Sequence, residues 1–311
     1  MSLMYSTRKF VGSFVPAKAK RQIGLIPFYL NTAKHTVPNI VRPTIPISER
    51  AQGWLKELRE NGIVKIESDG LRAAADRLSD YLDMLKDSPS GSLDGKQLGD
   101  PRIFAQDANT AHHKSFGIDT ACWVSFKDEK LKPLLRDPEI AGMMYNYYHR
   151  QPYYRNQPRL QYISLEPGQS VVTGNEFHVD AFRQISAMIL ISDVTDSDTH
   201  MDFLLKSHRR SVLQTGIEMT VEECEQCVAD KTYELFNLTG KKGTLYVYDT
   251  TGIHSRNLTP GSSRKCLIWT VTTGHHMAGF TETNTDWPEL QQDPEVVQRM
   301  FDKMDGSKLP F

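Results

Sequence analysis

The sequence predicts a mainly β protein, a sandwich or jelly roll with helices on its outside. Three observations carry this. From Arg159 onward the chain divides into short apolar or alternating runs, separated by turns rich in Pro, Gly, Asp and Ser, as antiparallel β architectures require. Residues 184–192 are apolar on both faces, so they belong at the centre of a sheet. Before residue 150 the apolar positions instead recur at helical spacing.

Residues 1–46 show no periodicity, and Pro16, Pro27, Pro38, Pro43 and Pro46 interrupt any regular element. They are expected to form an extended N-terminal arm, lying on the main body or on a neighbouring subunit of a homo-oligomer. Ser48 begins a helix as its N-cap, and Asn61-Gly62 ends it. Residues 63–66 alternate as a strand. Asp69 is expected to cap a second helix over about 71–86, with Ala74, Leu78 and Leu82 on one stripe. Residues 87–117 are rich in Ser, Gly, Asp and Pro and read as a long loop, either a lid or a solvated surface segment.

A helix is expected over 129–149, with Leu131, Leu134, Leu135, Ile140 and Met144 on its apolar face. It runs into an aromatic, basic stretch from Tyr145 to Arg155. Such stretches can stack bases, but they are more often the edge of a helix packed on a sheet. Strands follow at 160–165, around His178, at 184–192, 201–205, 233–238, 244–248, 254–258 and 265–273, with Thr259-Pro260-Gly261-Ser262 as the turn between the last two. A C-terminal tail, 279–311, holds one short helix at about 293–304. The domain itself spans 47–278.

With 311 residues, 39% apolar and 24% charged, the chain reads as soluble and globular. A net charge of -1 excludes a bulk electrostatic drive toward nucleic acid or a membrane surface. No apolar run is long enough to span a bilayer, and the basic N-terminus lacks the apolar core of a secretory signal. Four cysteines in a chain this long fit reduced thiols in the cytoplasm. Cys224 and Cys227 have redox-motif spacing, but they lie in what reads as a capped acidic helix with no strand leading into it.

The chemistry is concentrated in the strand-rich half. His178 and Asp180 are two apart, so on an extended strand they point to one side. With His254 downstream they make two histidines and one carboxylate, the facial triad of non-haem Fe(II) oxygenases. Arg264 lies ten residues beyond His254, across the Thr259-Pro260-Gly261 turn. On the adjacent antiparallel strand its guanidinium would enter the same cavity, suited to a carboxylate. Metal, anchoring arginine and β scaffold together describe an Fe(II)/2-oxoglutarate site. Singly, each histidine is more often a core or surface residue than a ligand. His112-His113 and His275-His276 are adjacent pairs, whose side chains point apart on a strand, and they read as loop and tail.

The ordered set His178-Val179-Asp180, the strand from Gln184, Lys206-Ser207-His208-Arg209, Gly252-Ile253-His254 and Arg264 resembles the phytanoyl-CoA dioxygenase-like branch of Fe(II)/2-oxoglutarate-dependent oxygenases. The likeness spans about 47–275. It implies a double-stranded β-helix, a cupin-like jelly roll with N-terminal helices packed outside. It implies that His178, Asp180 and His254 hold Fe(II), and that Arg264 pairs with the distal carboxylate of 2-oxoglutarate. Ser186 matches a position whose hydroxyl helps bind the cosubstrate, and Gln161 or Tyr162 lines the same pocket. Ser207-His208 matches a structural turn, with His208 not a ligand. Two residues after His254 the family has a small or hydroxyl residue and this chain has Arg256, which either points to solvent or binds an anionic substrate.

The reaction so implied consumes O2 and 2-oxoglutarate, releases succinate and CO2, and hydroxylates a C–H bond of a small molecule. Related halogenases lack the carboxylate ligand, so Asp180 favours hydroxylation, with desaturation or ring closure as other outcomes. Two other readings stand beside it. One is a cupin-like Zn(II) hydrolase or isomerase, which would have no use for Arg264. The other is a non-enzymatic jelly-roll binding module, which would have no use for an open metal triad.

Overall fold

The computed structural model describes residues 44–86, 103–105, 118–124, 132–135, 137–148, 153–154, 158–164, 167, 177–180, 184–209 and 218–272. The sequence-predicted tail helix, most of the arm and both adjacent His pairs lie outside them.

Helix α1 (Glu49–Asn61) starts where Ser48 accepts the Ala51 N–H and stops at Gly62, whose φ of 82° is the left-handed conformation that ends helices. A side chain at Gly62 would also meet the His208 ring at 2.4 Å. Strand β1 (Ile63–Ile66) follows directly. Helix α2 (Asp69–Lys86) begins one residue earlier than its predicted cap allows. Ser68 is the cap, its Oγ accepting the Leu71 N–H at 3.2 Å, and Asp69 lies in the first turn.

The long segment 87–117 is not wholly a loop. Strand β2 (Ile103–Ala105) lies within it and pairs with β3 (Ile118–Val124), two strands whose short, irregular apolar runs offer no clear alternation. The single helix expected over 129–149 is divided into α3 (Lys132–Leu135) and α4 (Pro138–Tyr148). The cause is local. Pro138 has no N–H to continue a helix, and the Asp137 carboxylate accepts the Glu139 and Ile140 N–H groups as a new N-cap.

The remaining elements are β4 (Tyr153–Tyr154), β5 (Arg159–Ser164), β6 (Phe177–His178), β7 (Ile185–Leu190), β8 (His200–Leu204), a 3-10 turn (Ser207–Arg209), β9 (Glu218–Met219), α5 (Val221–Ala229), β10 (Leu235–Asn237), β11 (Leu245–Asp249), β12 (His254–Asn257) and β13 (Ser263–Thr272). They form two antiparallel sheets. The larger runs β1-β11-β7-β13-β5-β3-β2, with β4 also on β13, and the smaller runs β10-β8-β12-β6-β9. The sheets face each other as a jelly roll, the double-stranded β-helix.

Strand alternation sorts the large sheet into two faces. Ile185, Ala187, Ile189, Leu245, Val247, Leu267 and Trp269 pack against Leu55, Leu58, Leu78 and Tyr145 of the helical layer. Met188, Leu190, Tyr246, Tyr248 and Cys266 turn the other way, onto Met201 and Phe203 of the small sheet. β7 is therefore buried on both sides, as its continuous apolar run requires. Tyr145, Tyr147 and Tyr148 are buried against this core, so these tyrosines are packing residues and not a base-stacking platform.

The core also takes in the end of the arm. Ile45 is 4% exposed, and the Asn146 side chain bonds both its N–H (2.8 Å) and its carbonyl (2.9 Å). Among the described residues no helix is long and apolar enough to cross a membrane.

Candidate metal centre

β6 and β12 are neighbours in the small sheet, with His178 directly opposite His254. Their ring centroids lie 4.5 Å apart. Asp180 follows β6, and one ligand atom each from His178, Asp180 and His254 falls within 4.8 Å of the others. Among the described residues this is the cluster that gathers three potential metal ligands.

Short loops hold the three in place. The Asp180 N–H donates to the Thr250 carbonyl at 2.9 Å, and the Thr250 N–H donates to the Gln184 carbonyl at 3.0 Å. The Gln184 amide Nε2 donates to Asp180 Oδ2, orienting the carboxylate while its other oxygen remains for a metal. On the other ligand strand, the Ile253 N–H donates to Ser207 Oγ at 2.7 Å, and that hydroxyl donates to the Leu204 carbonyl at 2.6 Å. Ser207 thus ties the chain just before His254. The β11–β12 turn is fastened from the helical side too. Tyr147 Oη donates to Asp249 Oδ2 at 2.6 Å, while Oδ1 accepts from the Thr251 N–H and hydroxyl.

His254 Nδ1 lies 2.9 Å from the Gly252 carbonyl. A carbonyl only accepts, so Nδ1 carries the proton and the Nε2 lone pair is presented for coordination. Burial holds the His254 imidazole below its ordinary range against the opposing charge of Asp180, and the neighbouring His178 adds to the lowering. The ring is neutral at physiological pH, the form that binds metal.

Arg264, on β13, is 1% exposed. Its Nε and Nη1 have no hydrogen-bond partner. A buried guanidinium with unpaired N–H groups is costly unless an anion satisfies it, and a carboxylate offers two oxygens for the purpose. By register, Arg264 and Cys266 share the inter-sheet face of β13 with Thr270. Ser186 is on that face of β7, its Oγ 3.0 Å from Thr270 Oγ1. Gln161, opposite Cys266 on β5, faces inward as well, its Oε1 3.9 Å from Cys266 Sγ. Tyr162, one residue on, turns to the other side and packs on the helical core. Of the two candidates on β5, alternation thus leaves Gln161 alone toward the inter-sheet interior.

Two residues at the site were not singled out by the sequence. Gln184 looks like the polar start of a buried strand. Tyr248 sits in Leu245-Tyr246-Val247-Tyr248, where both faces are apolar and nothing marks the inner one. Its ring lies 6.0 Å from that of His254, and it stands opposite Ser186 in the sheet. Its hydroxyl meets Met201 Sδ at 3.8 Å. Burial, reinforced by the Asp180 charge, pushes its phenol well above the ordinary range, so it is a neutral donor.

Three other readings of the sequence are resolved nearby. His208 is in the 3-10 turn with Nε2 3.2 Å from the Arg59 carbonyl, away from the triad. Cys224 is buried beneath the small sheet, on a helix with a Thr220/Glu223 capping box, and burial pushes its thiol up to about 11. It is an inert packing residue. His200 and Asp202, part of a region read only as turn and strand, form a buried pair, Nε2 to Oδ1, at 3.1 Å.

No protein-family model matches the chain, and no curated protein matches it. Solved structures do. The chain is similar to SnoN, an epimerase described in complex with Fe3+, alpha-ketoglutarate and nogalamycin RO, at 14% identity and a TM-score of 0.50, over 79% of this chain and 93% of that one. It is also similar to EctD from S. alaskensis in its apoform, at 19% identity and a TM-score of 0.49, over 74% and 78% of the two chains. AviO1 from Streptomyces viridochromogenes Tue57 matches at 12% identity and a TM-score of 0.43, over 74% and 98%. At these identities the likeness is one of fold, and the SnoN match gives the two-sheet architecture a solved counterpart.

Proposed function

We propose that this chain is an Fe(II)/2-oxoglutarate-dependent oxygenase, similar to the phytanoyl-CoA dioxygenase-like branch, that hydroxylates an unactivated C–H bond of a small molecule. The observation that carries the reading is Arg264, a fully buried cation with unpaired N–H groups, held on the inter-sheet face of the barrel that also carries the triad. A zinc hydrolase or an inert jelly roll has no need of that cation.

His178, Asp180 and His254 would hold the metal, and the His/carboxylate/His donor set suits Fe(II). Iron held by these residues would supply, with 2-oxoglutarate and O2 as cosubstrates, oxidative decarboxylation to succinate and CO2 and the oxidising power to attack a C–H bond. The chain's own part is positional. Gln184 aims the Asp180 carboxylate, and the Gly252 carbonyl fixes the His254 tautomer. Arg264 orients the distal carboxylate, while Ser186 and Tyr248 offer hydroxyls on the same face. Met188, Met201 and Phe203 keep that interior apolar and exclude water. As a ligand, Asp180 would take the position that a halide would otherwise need, which supports hydroxylation. Free Cys224, Cys227 and Cys266 fit a cytoplasmic setting.

Anaerobic titration of the full chain with Fe(II) and then 2-oxoglutarate tests the assignment. The weak visible charge-transfer band of the chelate should appear for wild type and be lost in H178A and D180A. A wild type with no band, or variants that keep it, would sink the reading.

A further inference from the structure

We propose that Asp249 is a positioning residue for the metal centre: held by Tyr147 of the helical layer, it sets the turn on which both Asp180 and His254 rest. The inference rests on the metal-binding reading above and extends it from the ligands to what aims them.

Asp249 ends β11 and is 2% exposed. Both of its carboxylate oxygens are engaged. Oδ2 accepts from Tyr147 Oη, and Oδ1 accepts from the Thr251 N–H at 2.9 Å and the Thr251 hydroxyl at 2.7 Å. The backbone is engaged as well. Its N–H donates to the Gly62 carbonyl at 2.8 Å, and its carbonyl accepts the Gly252 N–H at 2.9 Å. A buried carboxylate held at both oxygens has one orientation, and it imposes one shape on residues 249–252.

Two metal ligands from different strands meet that turn. The Thr250 carbonyl accepts the Asp180 N–H, and the Gly252 carbonyl accepts from His254 Nδ1. The Thr250 N–H also donates to the Gln184 carbonyl, and the Gln184 amide donates to the Asp180 carboxylate. A change in the turn therefore reaches Asp180 at its backbone and its carboxylate, and His254 at its ring.

Tyr147 connects this turn to the helices. Ile140, Met144 and Tyr145 of the same helix already pack α4 into the helical core, so adhesion does not require a buried carboxylate, which is costly to desolvate. A phenylalanine at 147 would fill the same space. The hydroxyl adds a direction, 2.6 Å from Asp249 Oδ2, which apolar packing does not supply. The coupling is reciprocal. If the Tyr147–Asp249 contact favours the ligand geometry, metal bound at the triad must favour that contact by the same factor.

The test uses the full chain and Co(II) alone, whose visible d–d bands report the coordination geometry. Y147F should bind Co(II) about 3- to 10-fold more weakly than wild type, the scale of one lost hydrogen bond, with shifted bands. D249A should lose at least as much. D249N keeps the shape and one carbonyl oxygen, so part of the affinity should return. L78A is the control for a merely structural role, since Leu78 is a fully buried residue of the helical layer. Urea unfolding of the metal-free chain should find L78A less stable, while its Co(II) bands stay those of wild type. Hydrogen exchange at residues 146–148 gives the reciprocal measurement: Co(II) should slow it in wild type and not in Y147F. Bands and affinity in Y147F equal to wild type would overturn the proposal, whether or not D249A folds. So would L78A shifting the bands as much as Y147F, or wild-type exchange that does not respond to Co(II). A wild type that binds no Co(II) would instead mean that the metal assignment has failed, and the proposal with it.

Discussion

His178 and His254 face each other across the β6–β12 pair, their rings 4.5 Å apart between centroids. β6 is only two residues long, so its own ladder does little to fix this geometry. The tethers around it do more. Thr250 links the loop after β6 to the β11–β12 turn, and Ser207 links the 3-10 turn to the residue before His254. The ligand positions thus depend on polar contacts outside the strands, and those contacts can be tested one at a time.

Gln184 gives the first prediction. Its amide donates to Asp180 Oδ2 and its carbonyl receives the Thr250 N–H. Q184A keeps the backbone contact and removes only the carboxylate's partner. Fe(II) affinity should fall by about 10- to 100-fold, the usual effect of removing an outer partner of a metal ligand, while Q184E should also weaken it by placing a second carboxylate beside the first. Calorimetric or competitive metal titration measures both. An affinity equal to wild type in Q184A would mean that Asp180 is aimed by something else.

Arg264 should separate function from stability. Its guanidinium is buried with Nε and Nη1 unpaired, so in the free protein it is a burden on the fold. R264M keeps the volume and removes the charge. Urea unfolding should find it as stable as wild type, or more stable by up to about 4 kcal/mol. Its 2-oxoglutarate binding should fall roughly 10- to 100-fold. A variant that is clearly destabilised yet binds the cosubstrate normally would show Arg264 to be a structural residue.

The grouping of His178 with Asp180 was legible in the sequence because it is local, a two-residue spacing on a strand, and so was the turn that returns Arg264 to the inter-sheet face. The strands after Arg159 were legible because Pro and Gly mark their ends. What escaped depended on contacts distant in sequence. Tyr248 and Tyr246 look alike in the chain, and both prove to face the small sheet while Leu245 and Val247 face the helices. The β2–β3 pair joins two strands across the 12 residues 106–117, and neither strand shows a clear alternation in the sequence. The division of the helix at Pro138 was readable locally, since an Asp followed by Pro is both cap and breaker, but the apolar stripe on either side masked it.

Gly252 gives a packing prediction beside the ligand. A Cβ there would lie 2.3 Å from Phe203 Cζ and 3.2 Å from the Asp249 carbonyl. G252A must displace the Phe203 ring or the turn that leads into His254. A cost of about 1–3 kcal/mol is expected from the overpacking, together with weaker metal binding because His254 shifts. F203L makes room, so in the double variant part of the lost stability should return. If the two effects simply add in a double-mutant cycle, the contact with Phe203 is not the cause.

The buried His200–Asp202 pair predicts how stability changes with pH. His200 is 2% exposed, with Nε2 at 3.1 Å from Asp202 and Nδ1 at 2.6 Å from the Asp198 carbonyl. The Asp202 carboxylate and the Asp198 carbonyl both favour the protonated ring, while the Asn257 amide, 3.3 Å from Nε2, suits the neutral one. Burial opposes that charge, but the Asp202 and Asp198 contacts outweigh it and the imidazole pKa is raised. A pKa above the unfolded value of about 6.5 means that the folded state binds the extra proton. The contribution is then complete below the unfolded pKa and is lost as pH rises through the folded one. In urea unfolding at a series of pH values, H200Q should be less stable than wild type by about 3–5 kcal/mol near pH 6, the cost of leaving a buried charge without its partner. That gap should narrow on the alkaline side, as wild type itself loses the imidazolium. A gap that widens with pH, or does not change, would show that His200 is neutral in the folded protein.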